Sequence, residues 1–197
     1  MKHLFFLKYI FTLLIFSFLG GCITTHQGAE SYFRSGSIKS QEGNYKGAMK
    51  DFKRVLKINP KHAKAYLGRS NIKYNLKNYK GAIEDCSTAI RLNPELTDAY
   101  FNLGISYYEL KRYKKAIAEF DRSIKRRPQD AEAYYLRGKA KMRMGNASGA
   151  CSDWQKAVGM SYTQAAEMQK KYCTNKPNAN KMLEEAPAQV RETRDNE

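Results

Sequence analysis

The chain of 197 residues has little of what catalysis and metal binding need. Its three histidines, His3, His26 and His62, stand far apart, so no metal-ligand cluster can be drawn from them. No phosphate loop, nucleophile elbow or redox Cys-x-x-Cys occurs, which removes the usual marks of nucleotide, acyl-transfer and redox enzymes. Acids are scarce: 19 Asp and Glu stand against 35 Lys and Arg, a net charge of +16. Asp51 with Arg54, Glu119 with Arg122 and Asp153 with Lys156 lie three residues apart, the spacing of helix ion pairs worth about 0.2–0.5 kcal/mol, not of acid/base carboxylates. The longest apolar run, 9–19, with only Thr12 and Ser17 as weakly polar members, is too short to span a bilayer comfortably, since a span takes about 20 residues. Such a chain is expected to bind rather than react, with no cofactor, no metal and no small-molecule substrate.

What is present is a repeat. A shift of 34 residues places Tyr32, Tyr66, Tyr100 and Tyr134 in one column, Ala48, Ala82, Ala116 and Ala150 in a second, and Pro60, Pro94 and Pro128 in a third. Gly36, Ser70, Gly104 and Gly138 follow each Tyr by four residues. An aromatic opening, a small residue, an Ala kept in all copies and a closing Pro at this period resemble the tetratricopeptide repeat, and the resemblance covers roughly two thirds of the chain.

Each column has its own physical reason. The small residues let two antiparallel helices approach closely. The Ala column, with Val55, Ala89, Ser123 and Ala157 one register later, gives the second helix a small face toward the first. Phe52, Phe120 and Trp154 fill the space between layers, and Cys86 holds the same buried column as a small core residue. Gly43-Asn44-Tyr45, Lys77-Asn78-Tyr79 and Lys111-Arg112-Tyr113 are turns inside the pairs, and each Pro ends a unit. The reading is an all-α superhelix of four helix-turn-helix repeats, 29–62, 63–96, 97–130 and 131–161. In the fourth, Ala147 replaces the turn Tyr and Tyr162 stands where a Pro would close the unit. An amphipathic capping helix over 162–173 would cover the last pair. From 174 to 197 no apolar periodicity survives, which predicts a disordered tail.

Residues 1–21 carry Lys2 and Lys8, then the apolar run, then Leu19-Gly20-Gly21-Cys22. A basic start followed by a short apolar segment reads as an export signal. The last four residues look like the bacterial lipobox; the resemblance implies lipidation of Cys22 and cleavage after Gly21, the alternative being an uncleaved anchor. Residues 22–28 would be a polar lipidated tether. Ile23 is not the Asp associated with inner-membrane retention, so the expected place is the periplasmic side of the bacterial cell envelope, at the outer membrane. An oxidising periplasm would permit Cys151 and Cys173 to pair; otherwise both are free thiols.

The family resemblance also implies a concave groove lined by the first helices. Carried over, the groove residues are Phe33 and Arg34; Lys64, Leu67, Asn71 and Tyr74; Phe101, Asn102, Ile105 and Tyr108; and Tyr135, Lys139 and Arg143. Amides alternate with aromatic plates, which suits an extended protein or peptide segment, although any of the aromatics can instead pack between repeats. Repeats that clamp a chaperone's carboxylate tail need cations where this chain has Leu67, Glu132 and Leu136, so Asn71 and Asn102 alone do not make that clamp.

The basic excess lies mostly on second helices, as Lys46, Lys50, Lys53, Arg54, Lys57, Lys114 and Lys115 illustrate. That outer face is either a solvated surface or one that engages anionic lipid, lipopolysaccharide or wall polymer. Export argues against nucleic acid. The expected function is a lipid-anchored scaffold holding a protein partner, similar to small repeat lipoproteins that assist assembly of envelope machines.

Overall fold

A computed structural model describes residues 27–173. The first described helix, α1, spans 27–41. It is followed by α2 (Tyr45–Ile58), α3 (Ala63–Asn75), α4 (Tyr79–Leu92), α5 (Thr97–Glu109), α6 (Tyr113–Arg126), α7 (Ala131–Arg143), α8 (Ala147–Gly159) and α9 (Thr163–Tyr172). Among the described residues there is no strand, and no helix is long and apolar enough to cross a membrane. Residues 27 and 28, expected to belong to a tether over 22–28, are helical, and 22–26 lie outside the described residues. The lipobox-like 19–22, with the expected lipidation at Cys22, and the expected tail from 174 lie outside the described residues.

Local chemistry sets the breaks. Asn44, Asn78 and Asn146 cap α2, α4 and α8 by accepting from the N–H of Gly47, Gly81 and Gly149 at 2.8–3.0 Å. Those glycines belong to the device, because a Cβ at Gly47 would stand 2.8 Å from the Asn44 amide. The third repeat has Arg112 and Lys115 at these positions, and α6 has no side-chain cap. One residue before each cap the backbone turns left-handed, at Gly43 (φ 75°), Lys77 (59°), Lys111 (58°) and Gly145 (80°).

Each helix packs on the next in the chain, and α3, α5 and α7 also touch one another in series, so the core runs as a continuous layer through the solenoid. Ala48, Phe52 and Val55 of α2 meet Ala65 and Ile72 of α3. Ala116 and Phe120 of α6 meet Ala140 of α7, and Trp154 of α8 is covered by Ala165 and Tyr172 of α9. Cys151 and Cys173 are joined by a disulfide that ties the end of α9 to α8. Cys86 is fully buried, and burial pushes its thiol up to about 11.

A buried acid crosses three of the four helix pairs. Asp85 accepts from Arg69 (2.7 and 2.8 Å) and pairs with Lys73 (2.9 Å), while Asp153 does the same with Arg137 (2.6 and 2.9 Å) and Lys141 (2.8 Å). Asp51 accepts from Ser35 and Lys39. The three-apart reading holds for Asp51 with Arg54 (3.6 Å) and Glu119 with Arg122 (3.0 Å). It does not hold for Asp153: the acid turns inward to α7, and the Lys156 ammonium lies over the Tyr134 ring instead. In the third repeat Leu103 and Tyr107 occupy the cation positions, which leaves Glu119 to its own helix.

Candidate functional site

The first helices of successive repeats present their residues to a common groove. Its centre is a hollow of about 520 Å³ between α3, α5 and the start of α7, lined by Leu67, Asn71, Asp98, Phe101, Asn102, Arg127, Gln129, Asp130, Ala131 and Glu132. A smaller hollow of about 220 Å³ adjoins it, lined by Ser70, Asn71, Tyr74, Asn75, Asn102, Ile105 and Ser106. Asn71 and Asn102 border both. The Asn102 side chain donates to the Asn71 side-chain oxygen, so one amide from each of two repeats is locked to the other. This pair spends one donor and one acceptor; the Asn71 NH₂ and the Asn102 carbonyl oxygen retain capacity for an incoming peptide group.

Of the expected groove residues, Leu67, Asn71, Tyr74, Phe101, Asn102 and Ile105 line the two hollows. Tyr74 also packs on Tyr79 at 5.4 Å, and burial, then the charge of Glu109, push its hydroxyl above the ordinary tyrosine range. Phe101 packs at a tilt against Phe120, ring centroids 6.0 Å apart, and also lines the hollow.

The remaining positions lie outside both hollows. Phe33 is spent within the first repeat, against Phe52 (5.9 Å) and His62 (4.8 Å). Arg34 is exposed and pairs loosely with Glu30 at 4.0 Å, and Lys64 is exposed. Tyr108 packs on Tyr113, and Tyr135 packs on Tyr162. The Lys139 ammonium sits between those two tyrosines, 5.3 Å from the Tyr108 ring and 5.5 Å from that of Tyr135, and so links repeats three and four. Arg143 lies near Tyr113 and acts on its hydroxyl electrostatically.

The sequence reading missed one wall. Arg127 and Asp130 belong to the turn between α6 and α7, not to a first helix. Arg127 reaches Asp98 at 2.7 Å and Asp130 at 3.4 Å, pinning the starts of α5 and α7 together. Asp130 in turn caps α7 by accepting from the Ala133 N–H at 3.1 Å. The cap position was the available signal: an Asp three residues before Ala133, after a Pro, must sit at the groove's edge. Among the described residues no group of His, Cys, Asp and Glu is placed to hold a metal ion. The arrangement offers hydrogen-bonding amides, apolar plates and a charged rim, and so can hold a ligand.

The tetratricopeptide repeat family profile matches residues 29–62 and 76–140. A search of curated proteins finds no match. Among solved structures, the fold is similar to a crystal structure of MamA protein (22% identity, 82% of this chain and 91% of that one, TM-score 0.68). It is likewise similar to YrrB, described as a TPR protein with an unusual peptide-binding site (22% identity, 86% and 90%, TM-score 0.66). A third similar structure is the first TPR of Spaghetti bound to the HSP90 peptide SRMEEVD (23% identity, 58% and 91%, TM-score 0.57).

Proposed function

The chain belongs to the tetratricopeptide repeat family, and on that premise we propose that it is a non-enzymatic scaffold that holds an extended segment of a protein partner across Asn71 and Asn102. The observation that carries this is the amide pair itself, set between Leu67 and Phe101 in a hollow wide enough for a peptide. Two neighbours described as peptide-bound or peptide-binding support the same use of the fold. The acidic SRMEEVD ligand of one of them is not the model for the partner here, because Glu132 faces the hollow where a cation would be needed.

The scaffold is further proposed to be a lipoprotein, anchored through Cys22 on the periplasmic side of a bacterial envelope, at the outer membrane, where it assists assembly of an envelope machine. The lipobox-like Leu19-Gly20-Gly21-Cys22 supports this. The mass of the mature amino-terminal peptide tests it: an acylated peptide beginning at Cys22 is expected, and an unmodified Met1 overturns the anchor.

The groove is tested by photo-crosslinking in cells with benzoylphenylalanine at position 101. A discrete protein adduct is expected, reduced about thirtyfold when Asn71→Ala and Asn102→Ala are added, since each lost hydrogen bond to a peptide is worth about 1 kcal/mol. An adduct formed from position 114 on the outer face and not from 101 overturns the groove reading.

A further inference from the structure

A row of lysines without ion-pair partners lies along α2. Lys46, Lys50, Lys53 and Lys57 follow at spacings of four, three and four residues, so they share one face of the helix. The only carboxylate of α2, Asp51, is buried and turned to Ser35 and Lys39 of α1. Arg54, beside it, lies over the Tyr32 ring at 5.0 Å. The ion pairs formed among the described residues leave all four lysines out. Elsewhere the outer face is partly neutralised: Glu119 holds Arg122, and Lys115 lies over Tyr107.

A hollow of about 610 Å³ runs along this face. Tyr45, Met49 and Leu76 form its apolar wall, with Leu76 58% exposed, and the lysine stems continue that wall up to a rim of ammonium groups. An apolar floor under a cationic rim is complementary to an anionic amphiphile.

The position of the face relative to Cys22 selects the source of that amphiphile. Glu30 of α1 pairs with His62, just beyond α2, at 3.7 Å, and Ala29 packs in one cluster with Val55. The first described turn of α1 therefore sits beside the last turn of α2, which carries Lys57. From Cys22 to Gln27 is five peptide steps, about 17 Å when fully extended. A lipid on Cys22 would keep that end of α2 within this distance of the bilayer, and α2 itself is only about 21 Å long.

We infer that the lysine face of α2 is a docking surface for anionic phospholipid of the bilayer in which the chain is anchored. Headgroup phosphates meet the four ammonium groups, and the glycerol and upper acyl region meets Tyr45, Met49 and Leu76. The inference rests on the lipid anchoring proposed above. It orients the solenoid: α2 lies on the membrane, and the groove, lined by other helices, stays open to a protein partner.

Lysine acetylation of the full chain in vesicles, read peptide by peptide by mass spectrometry, tests it. Labelling of Lys46, Lys50, Lys53 and Lys57 is expected to be about fivefold lower in vesicles containing phosphatidylglycerol than in phosphatidylcholine alone. Lys114 and Lys115 serve as the comparison and are expected to change little. The difference is expected to vanish at 1 M salt, where the screening length is about 3 Å. Equal labelling on both vesicles overturns the proposal. Protection by inorganic phosphate on phosphatidylcholine vesicles also overturns it, making the face a site for a free anion. In Lys50→Glu with Lys53→Glu, Lys46 and Lys57 are expected to lose protection; if they keep it, charge does not hold the face and the proposal fails. The amino-terminal mass is read from the same sample, so an unmodified Met1 with anionic-only protection removes the anchor while supporting the docking face.

Discussion

Trp154 and Gly138 approach so closely that a Cβ on the glycine would stand 2.5 Å from the indole Nε1. The indole has no room to retreat, being fully buried, with its N–H donated to the Tyr135 carbonyl at 3.2 Å. Gly138→Ala gains about 1 kcal/mol of helix propensity and forces a buried ring aside at a cost of about 1–3 kcal/mol. Net destabilisation is therefore expected in urea titration. Gly159→Ala, where a Cβ meets nothing within 4 Å, is expected to hold or raise stability. A Gly138→Ala protein as stable as Gly159→Ala would show that the close approach does not constrain the pair.

The left-handed turn residues give an opposite expectation. Lys77 and Lys111 adopt φ near 59° and 58°, where their repeat equivalents are Gly43 and Gly145. A side chain in this region costs about 1 kcal/mol or more, partly offset by the greater freedom of an unfolded glycine. Lys77→Gly and Lys111→Gly are each expected to stabilise by about 0.5 kcal/mol, additively because the sites are far apart. Destabilisation by either would indicate that the lysine side chain makes a contact worth more than the strain.

Much of this was readable in the sequence. The 34-residue period marks the helix pairs because each column answers a packing demand that recurs in every unit: Gly36 faces Phe52, Gly104 faces Phe120, and Gly138 faces Trp154. Ser70 breaks the glycine column where Cys86 breaks the aromatic one, since a smaller partner leaves room for a hydroxymethyl group, which donates to the Leu67 carbonyl at 2.7 Å. The groove was half legible. Asn71 and Asn102 were both readable as groove-facing positions of neighbouring first helices, although they stand 31 residues apart and so at different positions of the repeat, but Phe33, Tyr108 and Tyr135 are consumed by neighbours that lie in second helices or turns. A register position fixes the direction of a side chain, not how far a neighbouring ring reaches over it. Arg127 was missed for the same reason: its partner Asp98 is 29 residues away and on a different element.

Two members of the buried acid column titrate in opposite directions. Burial opposes ionisation of Asp51, but hydrogen bonds from Lys39 and Ser35 outweigh it and hold the carboxyl below its ordinary 3.8. Its stabilisation is therefore complete above the unfolded pKa and lost as pH falls through the lowered folded value. Burial raises Glu119 above 4.5 against the pull of Arg122, so ionising it costs stability as pH rises through the raised value. Asp51→Asn is expected to cost about 1–3 kcal/mol at neutral pH and less in acid. Glu119→Gln is expected to be neutral or stabilising at neutral pH and without effect below its unfolded pKa. Stability curves of the two variants that run parallel with pH would refute this assignment.

The disulfide sets a last expectation, confined to one end of the solenoid. Cys151 and Cys173 close a loop of 22 residues that contains all of α9, a constraint worth about 3 kcal/mol. Apart from this bond, α9 is held chiefly by Ala165 and Tyr172 against Trp154, with the Trp154 and Tyr172 rings 5.9 Å apart. Reduction is therefore expected to loosen α9 before anything else, because a repeat array opens from its ends. Amide hydrogen exchange should accelerate over 163–172 and leave α2 to α6 unchanged. Trp154 is the only tryptophan, so its emission should shift to the red as Tyr172 departs. Because Tyr162 packs on Tyr135, the loss should reach the last repeat of the groove, yet spare Asn71 and Asn102. Unchanged exchange in α9 after complete reduction would mean that Ala165 and Tyr172 suffice to hold it, and that the bond adds nothing to the cap.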